Sequence, residues 1–128
     1  MSKRILLVDD EPSLVLLMEA RLKTAGYNVV SANDGQAGFE MAKKENPDLI
    51  ILDLMLPKMD GYKVCGLLKK DTRYAKIPII LFTARAQQED MKLGEELGAD
   101  AFITKPFDPP TLLGKIEELL EKAASKGA

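Results

Sequence analysis

Five short apolar runs decide most of what this chain can fold into. They cover residues 4–9 (RILLVD), 28–32 (NVVSA), 48–53 (DLIILD), 78–83 (PIILFT) and 101–104 (AFIT). Several are continuously apolar rather than alternating, which is the pattern of strands covered on both faces. Segments with helical periodicity separate them. The chain therefore reads as five β-α units, and such alternation implies a parallel sheet with right-handed crossovers and helices on both faces.

The helices carry start and stop signals. Pro12 suits a first helical position, because its φ is already right and no N–H is needed there. Leu14, Leu17, Met18, Leu22 and Ala25 form the expected inner stripe of that helix, and Gly26 is its expected stop. A second helix follows the Asn33-Asp34-Gly35 turn, carries Ala37, Phe39, Met41 and Ala42, and ends before Pro47. A third runs from about Gly61 to Lys70 with Asp60 as N-cap. A fourth spans roughly residues 86–97 and stops at Gly98. A fifth has Asp108 as N-cap, Pro109 at its first position, and Leu112, Leu113, Ile116, Leu119 and Leu120 along one face. The closing AASKGA, residues 123–128, reads as a frayed end or a cut linker.

A length of 128 residues suits one domain, assigned to 1–124 with 125–128 as a tail. The net charge of -2 supplies no positive field for nucleic acid, so direct nucleic-acid binding is not expected. No apolar run is long enough to span a bilayer, and the first residues lack a signal-peptide pattern, so the expected location is cytoplasmic with no membrane contact. The single cysteine, Cys65, cannot form an intrachain disulfide and reads as a small buried hydrophobe. Lys69 and Lys70 read as a solvated face. There is no histidine, which excludes Ser-His-Asp and Cys-His chemistry, histidine metal ligands and a phosphohistidine on this chain. Chemistry here must run on carboxylates, hydroxyls and lysine.

Those groups fall at strand ends. Asp9 and Asp10 end the first run, Asp53 the third and Thr83 the fourth, while Lys105 lies just past the fifth. Open parallel sheets bind ligands outside the carboxyl ends of their strands, where the strand order reverses. In the order 2-1-3-4-5, taken from the general pattern of such sheets, strands 1 and 3 are neighbours at that point and three carboxylates converge. Clustered acids repel, so one is expected to hold a proton unless a divalent, oxygen-seeking cation relieves them. Lys105 offers a point charge for phosphate and Thr83 a hydroxyl donor. The set is a toolkit for phosphoryl transfer onto an aspartate. Taken singly each residue has a plainer reading, as a turn cap, a strand-end hydroxyl or a surface lysine. The coincidence of all of them on strand ends favours function.

At this point the chain resembles the receiver domains of two-component response regulators. The resemblance rests on LLVDDEP (6–12), DLIILDLMLPKMDGY (48–62), IILFTA (79–84) and GADAFITKPF (98–107). It implies a doubly wound, flavodoxin-like three-layer α/β sandwich with five parallel strands in the order 2-1-3-4-5 and five helices. It implies that Asp53 is the phosphoacceptor, that Asp10 ligates Mg2+ (or Mn2+) directly, and that Asp9 is the second acidic partner. Met55 would ligate the metal through its backbone carbonyl. Lys105 would pair with the phosphoryl group, ahead of a structural turn at Pro106 whose preceding peptide bond is cis in the family. Thr83 would be the switch hydroxyl and Phe102 the aromatic switch residue. The implied partners are a sensor histidine kinase or histidine phosphotransfer protein, and a downstream target or absent effector domain reached through the helix 4–strand 5–helix 5 face. Such a domain is a signalling phosphoacceptor rather than an enzyme, although it assists its own phosphorylation and dephosphorylation. Met55 and Arg85 flank the path of a hydrolytic water and are expected to lengthen the life of the acyl phosphate.

Three other readings fit less well. An Asp-nucleophile phosphatase of the haloacid-dehalogenase type needs a second acid two residues after the nucleophile, where this chain has Met55. A flavodoxin-like FMN binder wants a Ser/Thr/Gly-rich phosphate loop after strand 1, where this chain has Asp-Asp-Glu-Pro. A receiver-like scaffold that is never phosphorylated would have no need of the complete acid, hydroxyl and lysine set.

Overall fold

A computed structural model describes residues 2–84 and 87–127. Ten elements alternate along the chain: β1 (Arg4–Val8), α1 (Pro12–Thr24), β2 (Asn28–Ala32), α2 (Gly35–Glu45), β3 (Leu49–Leu52), α3 (Gly61–Lys70), β4 (Ile79–Thr83), α4 (Gln88–Glu96), β5 (Ala101–Thr104) and α5 (Pro109–Gly127). The strands form one sheet in the order β2-β1-β3-β4-β5, and every neighbouring pair is parallel. This is the expected doubly wound sheet with five helices.

The period of the strand decides which side chain faces which layer. Leu6, Val8, Ile50, Leu52, Ile79 and Leu81 point to the α2, α3 and α4 side, where they pack on Ala42, Val64, Cys65 and Leu68. Ile5, Leu7, Leu49, Ile51, Ile80 and Phe82 point to the α1 and α5 side, against Met18, Leu22, Leu112, Ile116 and Leu119. Both sets are buried, so the strands had to be apolar throughout rather than alternating. The two edge strands, β2 and β5, are only half-buried and carry the more polar runs.

Helix starts follow the expected chemistry. Asp34 and Asp60 each accept a hydrogen bond from the backbone N–H three residues on, at 2.7 and 3.0 Å, and Asp108 accepts one from Thr111 at 3.2 Å. Three local expectations need correction. The inner stripe of α1 is Leu14, Val15, Met18 and Leu22, while Leu17 is half exposed and Ala25 lies at the surface. The turn of 100° per residue puts Val15, not Leu17, over the sheet. α4 begins at Gln88 and ends at Glu96, and Ala86 lies outside the described residues. The backbone does not fray at residue 123, because α5 continues through Ala123 and Ala124 to Gly127.

Lys69 is a further correction. Its side chain is only 13% exposed and is not part of a solvated face. Its ammonium donates to the carbonyls of Ala75 (3.1 Å) and Ile77 (2.8 Å) and to Asp100 Oδ2 (2.8 Å). The same Asp100 oxygen accepts from Ile79 N–H, at 2.8 Å. Lys69 therefore closes the connection that feeds β4 into the sheet. Lys70 is exposed as expected. Cys65 is fully buried.

Candidate phosphoacceptor site

The site grows out of the ends of the sheet by one residue each. Asp9 N–H bonds to Ala32 O at 3.1 Å, Asp53 N–H to Val8 O at 3.0 Å, and Lys105 N–H to Thr83 O at 2.9 Å. These bonds continue the parallel ladders just beyond β2, β1 and β4. They place Asp9 and Asp53 on neighbouring strand ends and Lys105 at the end of β5, on the far side of β4, along one edge of the sheet. The β1–β3 adjacency required for this is present, with Val8 beside Leu52.

Asp9, Asp53 and Thr83 are buried, at 1%, 4% and 1% exposure, and Asp10 is exposed. Lys105 Nζ lies 3.0 Å from Asp53 Oδ2 and 2.9 Å from Asp9 Oδ2. Its contact with Asp53 is a hydrogen bond. Asp9 Oδ2 is close to the same cation but accepts no well-aligned hydrogen bond. The other oxygens are held by the backbone: Asp53 Oδ1 accepts from Met55 N–H at 3.2 Å, and Asp9 Oδ1 from Glu11 N–H at 3.0 Å. The Lys105–Pro106 peptide is cis. Burial raises the Asp9 pKa above the ordinary carboxylate value; Lys105 and the Glu11 amide pull the other way, and the charge of Asp53 adds to the rise. Burial works to lower the Lys105 pKa, yet its short contacts with Asp9 and Asp53 hold it above the ordinary lysine value.

One carboxylate oxygen each from Asp9, Asp10 and Asp53 falls within 4.8 Å of the others. The donors are oxygen only, and the buried Asp9 oxygen lacks a directed partner. Both features fit a hard divalent cation such as Mg2+. Met55 leaves the strand end with its side chain 61% exposed. Phe102 is half-buried on β5 against the α3 and α4 layer. Arg85 lies outside the described residues.

A family model described as the response regulator receiver domain matches residues 5–117. The chain belongs to that family. This receiver domain is 44% identical over 125 residues to the alkaline phosphatase synthesis transcriptional regulatory protein PhoP of Bacillus subtilis, covering 96% of this chain and 50% of that one. It spans about half the length of the curated relatives it matches. Among solved structures it superposes on a CheY-like receiver domain protein from Methanospirillum hungatei with a TM-score of 0.93 at 31% identity, covering 98% and 99% of the two chains. It also superposes on the receiver domain of the sensor histidine kinase PA1611 from Pseudomonas aeruginosa, with a TM-score of 0.87 at 30% identity, covering 94% and 99%. That receiver is described with a magnesium ion coordinated in its active-site cleft. The receiver domain is a module of two-component phosphorelay signalling, and the phosphatase, flavin-binding and scaffold readings are not favoured.

Sequence reasoning missed two residues that shape the site. Gly61 sits where a Cβ would collide with the carbonyl oxygen of Asp53 and press on Leu54 Cα. Its N–H donates to Leu54 O at 3.0 Å, so the first residue of α3 is stacked on the backbone of Asp53 and Leu54. Tyr62 follows, and its hydroxyl reaches across to Asp90 on α4. The Asp60-Gly61 pair looked only like a helix start. Nothing local marks Tyr62 as bonded to a residue 28 positions away.

Proposed function

We propose that this receiver domain accepts a phosphoryl group on Asp53 in a Mg2+-dependent reaction and relays it as a conformational signal. The observation that carries this is the Lys105 ammonium held between the carboxylates of Asp53 and Asp9, at 3.0 and 2.9 Å. Asp9, Asp10 and Asp53 would hold the cation through carboxylate oxygens and Met55 through its backbone carbonyl. The bound cation supplies neutralisation of charge on the transferring group.

The chain's own residues do the rest. An oxygen of Asp53 forms the new P–O bond while the P–N bond to the donor histidine breaks, and the departing imidazole keeps the electron pair of that bond and takes up a proton. Lys105 exchanges its carboxylate contact for an oxygen of the arriving group, which needs only a shift of its flexible stem. Thr83 donates its hydroxyl to another oxygen. Positioning and charge placement supply the catalysis, so the domain assists its own phosphorylation and dephosphorylation without being a dedicated enzyme. The exposed Met55 side chain and Arg85 are assigned to slow the entry of water.

The donor is assigned as a histidine kinase or phosphotransfer protein. A groove of about 480 Å³ beside Lys105, walled by Leu14, Leu17, Phe107 and Pro109, supports a protein partner there. The output is assigned to the α4–β5–α5 face, with Thr83 and Phe102 as the moving pair, acting on a target or on an effector domain. PhoP is described as a transcriptional regulator, so DNA contact is assigned to such an effector and not to residues 1–124. Among the described residues no helix is long and apolar enough to cross a membrane, and the domain is assigned to the cytoplasm.

Incubation with Mg2+ and acetyl phosphate, followed by intact mass measurement, tests the chemistry. One phosphoryl adduct is expected on the wild type and none on Asp53→Ala or in the presence of a chelator. Equal labelling of wild type and Asp53→Ala would sink the reading.

A further inference from the structure

The Tyr62 hydroxyl lies 3.0 Å from Asp90 Oδ1 and 3.1 Å from the Asp90 backbone oxygen. Its one proton is shared between a carboxylate and a carbonyl of the same residue. Asp90 is 6% exposed, in the first turn of α4, so the carboxylate end of the contact is shielded from water while Tyr62 is half-buried. A hydrogen bond to a buried carboxylate is stronger than one between neutral groups. At its other end Tyr62 is covalently next to Gly61, which is stacked on the Asp53 carbonyl. A short mechanical path therefore runs from the phosphoacceptor backbone through Gly61 and Tyr62 to the start of α4.

The β4–α4 connection joins Thr83 to Gln88 through residues 84–87. A displacement of Thr83 toward a phosphoryl group on Asp53 must be taken up within those four residues or passed to the first turn of α4. The Tyr62–Asp90 bond grips that turn. It is formed in the arrangement where Lys105 is bound to the carboxylates of Asp53 and Asp9. A ligand shifts a two-state equilibrium only by its difference in affinity for the two states, and a bond made in one state alone lowers affinity for whatever favours the other.

We propose that Tyr62 is a positioning residue that acts through Asp90, latching α4 in the resting arrangement and so holding down the affinity of Asp53 for a phosphoryl group. This rests on the phosphoacceptor reading of Asp53. Nothing in it requires Tyr62 to touch the transferred group.

The test uses the full chain and two variants, Tyr62→Phe and Tyr62→Ala. Binding of beryllofluoride with Mg2+, a non-hydrolysable mimic of the acyl phosphate, is titrated for each. Amide exchange over residues 88–96 is measured separately in metal-free protein. Loss of the hydroxyl should tighten beryllofluoride binding by about ten- to a hundredfold, the scale of one hydrogen bond to a charged group. It should speed exchange in α4 by a similar factor while leaving α1 and α5 unchanged. Tyr62→Phe should behave like Tyr62→Ala in both respects. If the ring's packing were what mattered, phenylalanine would restore wild-type values, and that result overturns the proposal. So does unchanged or weaker beryllofluoride binding by Tyr62→Phe. If wild type binds no better than Asp53→Asn, the phosphoacceptor reading itself fails. The metal-free exchange data then still decide the latch: wild-type exchange in Tyr62→Phe removes it.

Discussion

Gly61 rests on the carbonyl oxygen of Asp53 so closely that no side chain fits between them. The contact joins the end of β3 to the start of α3 and fixes where the loop between them can go. Gly61→Ala should therefore cost about 1–3 kcal/mol, the usual penalty of overpacking. It should also lower phosphoryl labelling, because the Asp53 backbone has to move. Gly114, on the outer side of α5, has nothing within 4 Å of an added Cβ. Gly114→Ala should stabilise by about 0.5–1 kcal/mol, since alanine is the better helix former. Urea unfolding of the two variants measures both, and a common sign would contradict the close-approach account.

Lys69 and Lys70 are adjacent in sequence and should differ sharply in effect. Removing the Lys69 ammonium leaves Asp100 and two carbonyls without their shared donor, so Lys69→Ala should destabilise by about 2 kcal/mol. Lys70→Ala should stay within about 0.5 kcal/mol of wild type. Thermal or denaturant midpoints of the pair decide this.

The three carboxylates at the site should make stability depend on divalent cations. A ligand that binds only the folded chain stabilises it by mass action, about 2.7 kcal/mol at a hundredfold excess over Kd. Mg2+ should raise the melting temperature of the wild type, and a chelator should reverse the gain. Asp10→Asn should blunt the response. An Asp9→Asn, Asp10→Asn double variant that still responded like wild type would place the cation elsewhere.

Burial pushes the Cys65 thiol up to about 11, against the pull of nearby Lys69 and with a small addition from Asp100. In the unfolded chain the thiol ionises near its ordinary value of about 8.5. Between these values the unfolded state has lost the proton and the folded state has kept it, so stability falls as pH rises. The contribution is complete below the unfolded value and is lost toward pH 11, a change of roughly 3 kcal/mol. The same burial makes native Cys65 slow to alkylate at neutral pH. Unfolding curves from about pH 8 to about pH 10.5 should be less steeply pH-dependent for Cys65→Ala than for wild type. Identical slopes would count against it.

The fold and the chemical content of the site were legible because both rest on local signals. A strand buried on both faces must be apolar at every position, as Leu49–Leu52 is, and a helix must be capped, as Asp34, Asp60 and Asp108 cap theirs. Asp9, Asp10, Asp53, Thr83 and Lys105 stood out because polar groups at the ends of such runs are exceptions to that rule. The alternation of elements called for a parallel sheet, and the general pattern of such sheets supplied the strand order. Neither gives the geometry. Only tertiary structure put Lys105 between Asp9 and Asp53, stacked Gly61 on Asp53, turned Lys69 inward to Asp100 and joined Tyr62 to Asp90. These contacts span 52, 8, 31 and 28 positions. A residue's composition and near neighbours report the burial it needs, but a partner that far along the chain is chosen by how the layers pack, and that choice leaves no local trace.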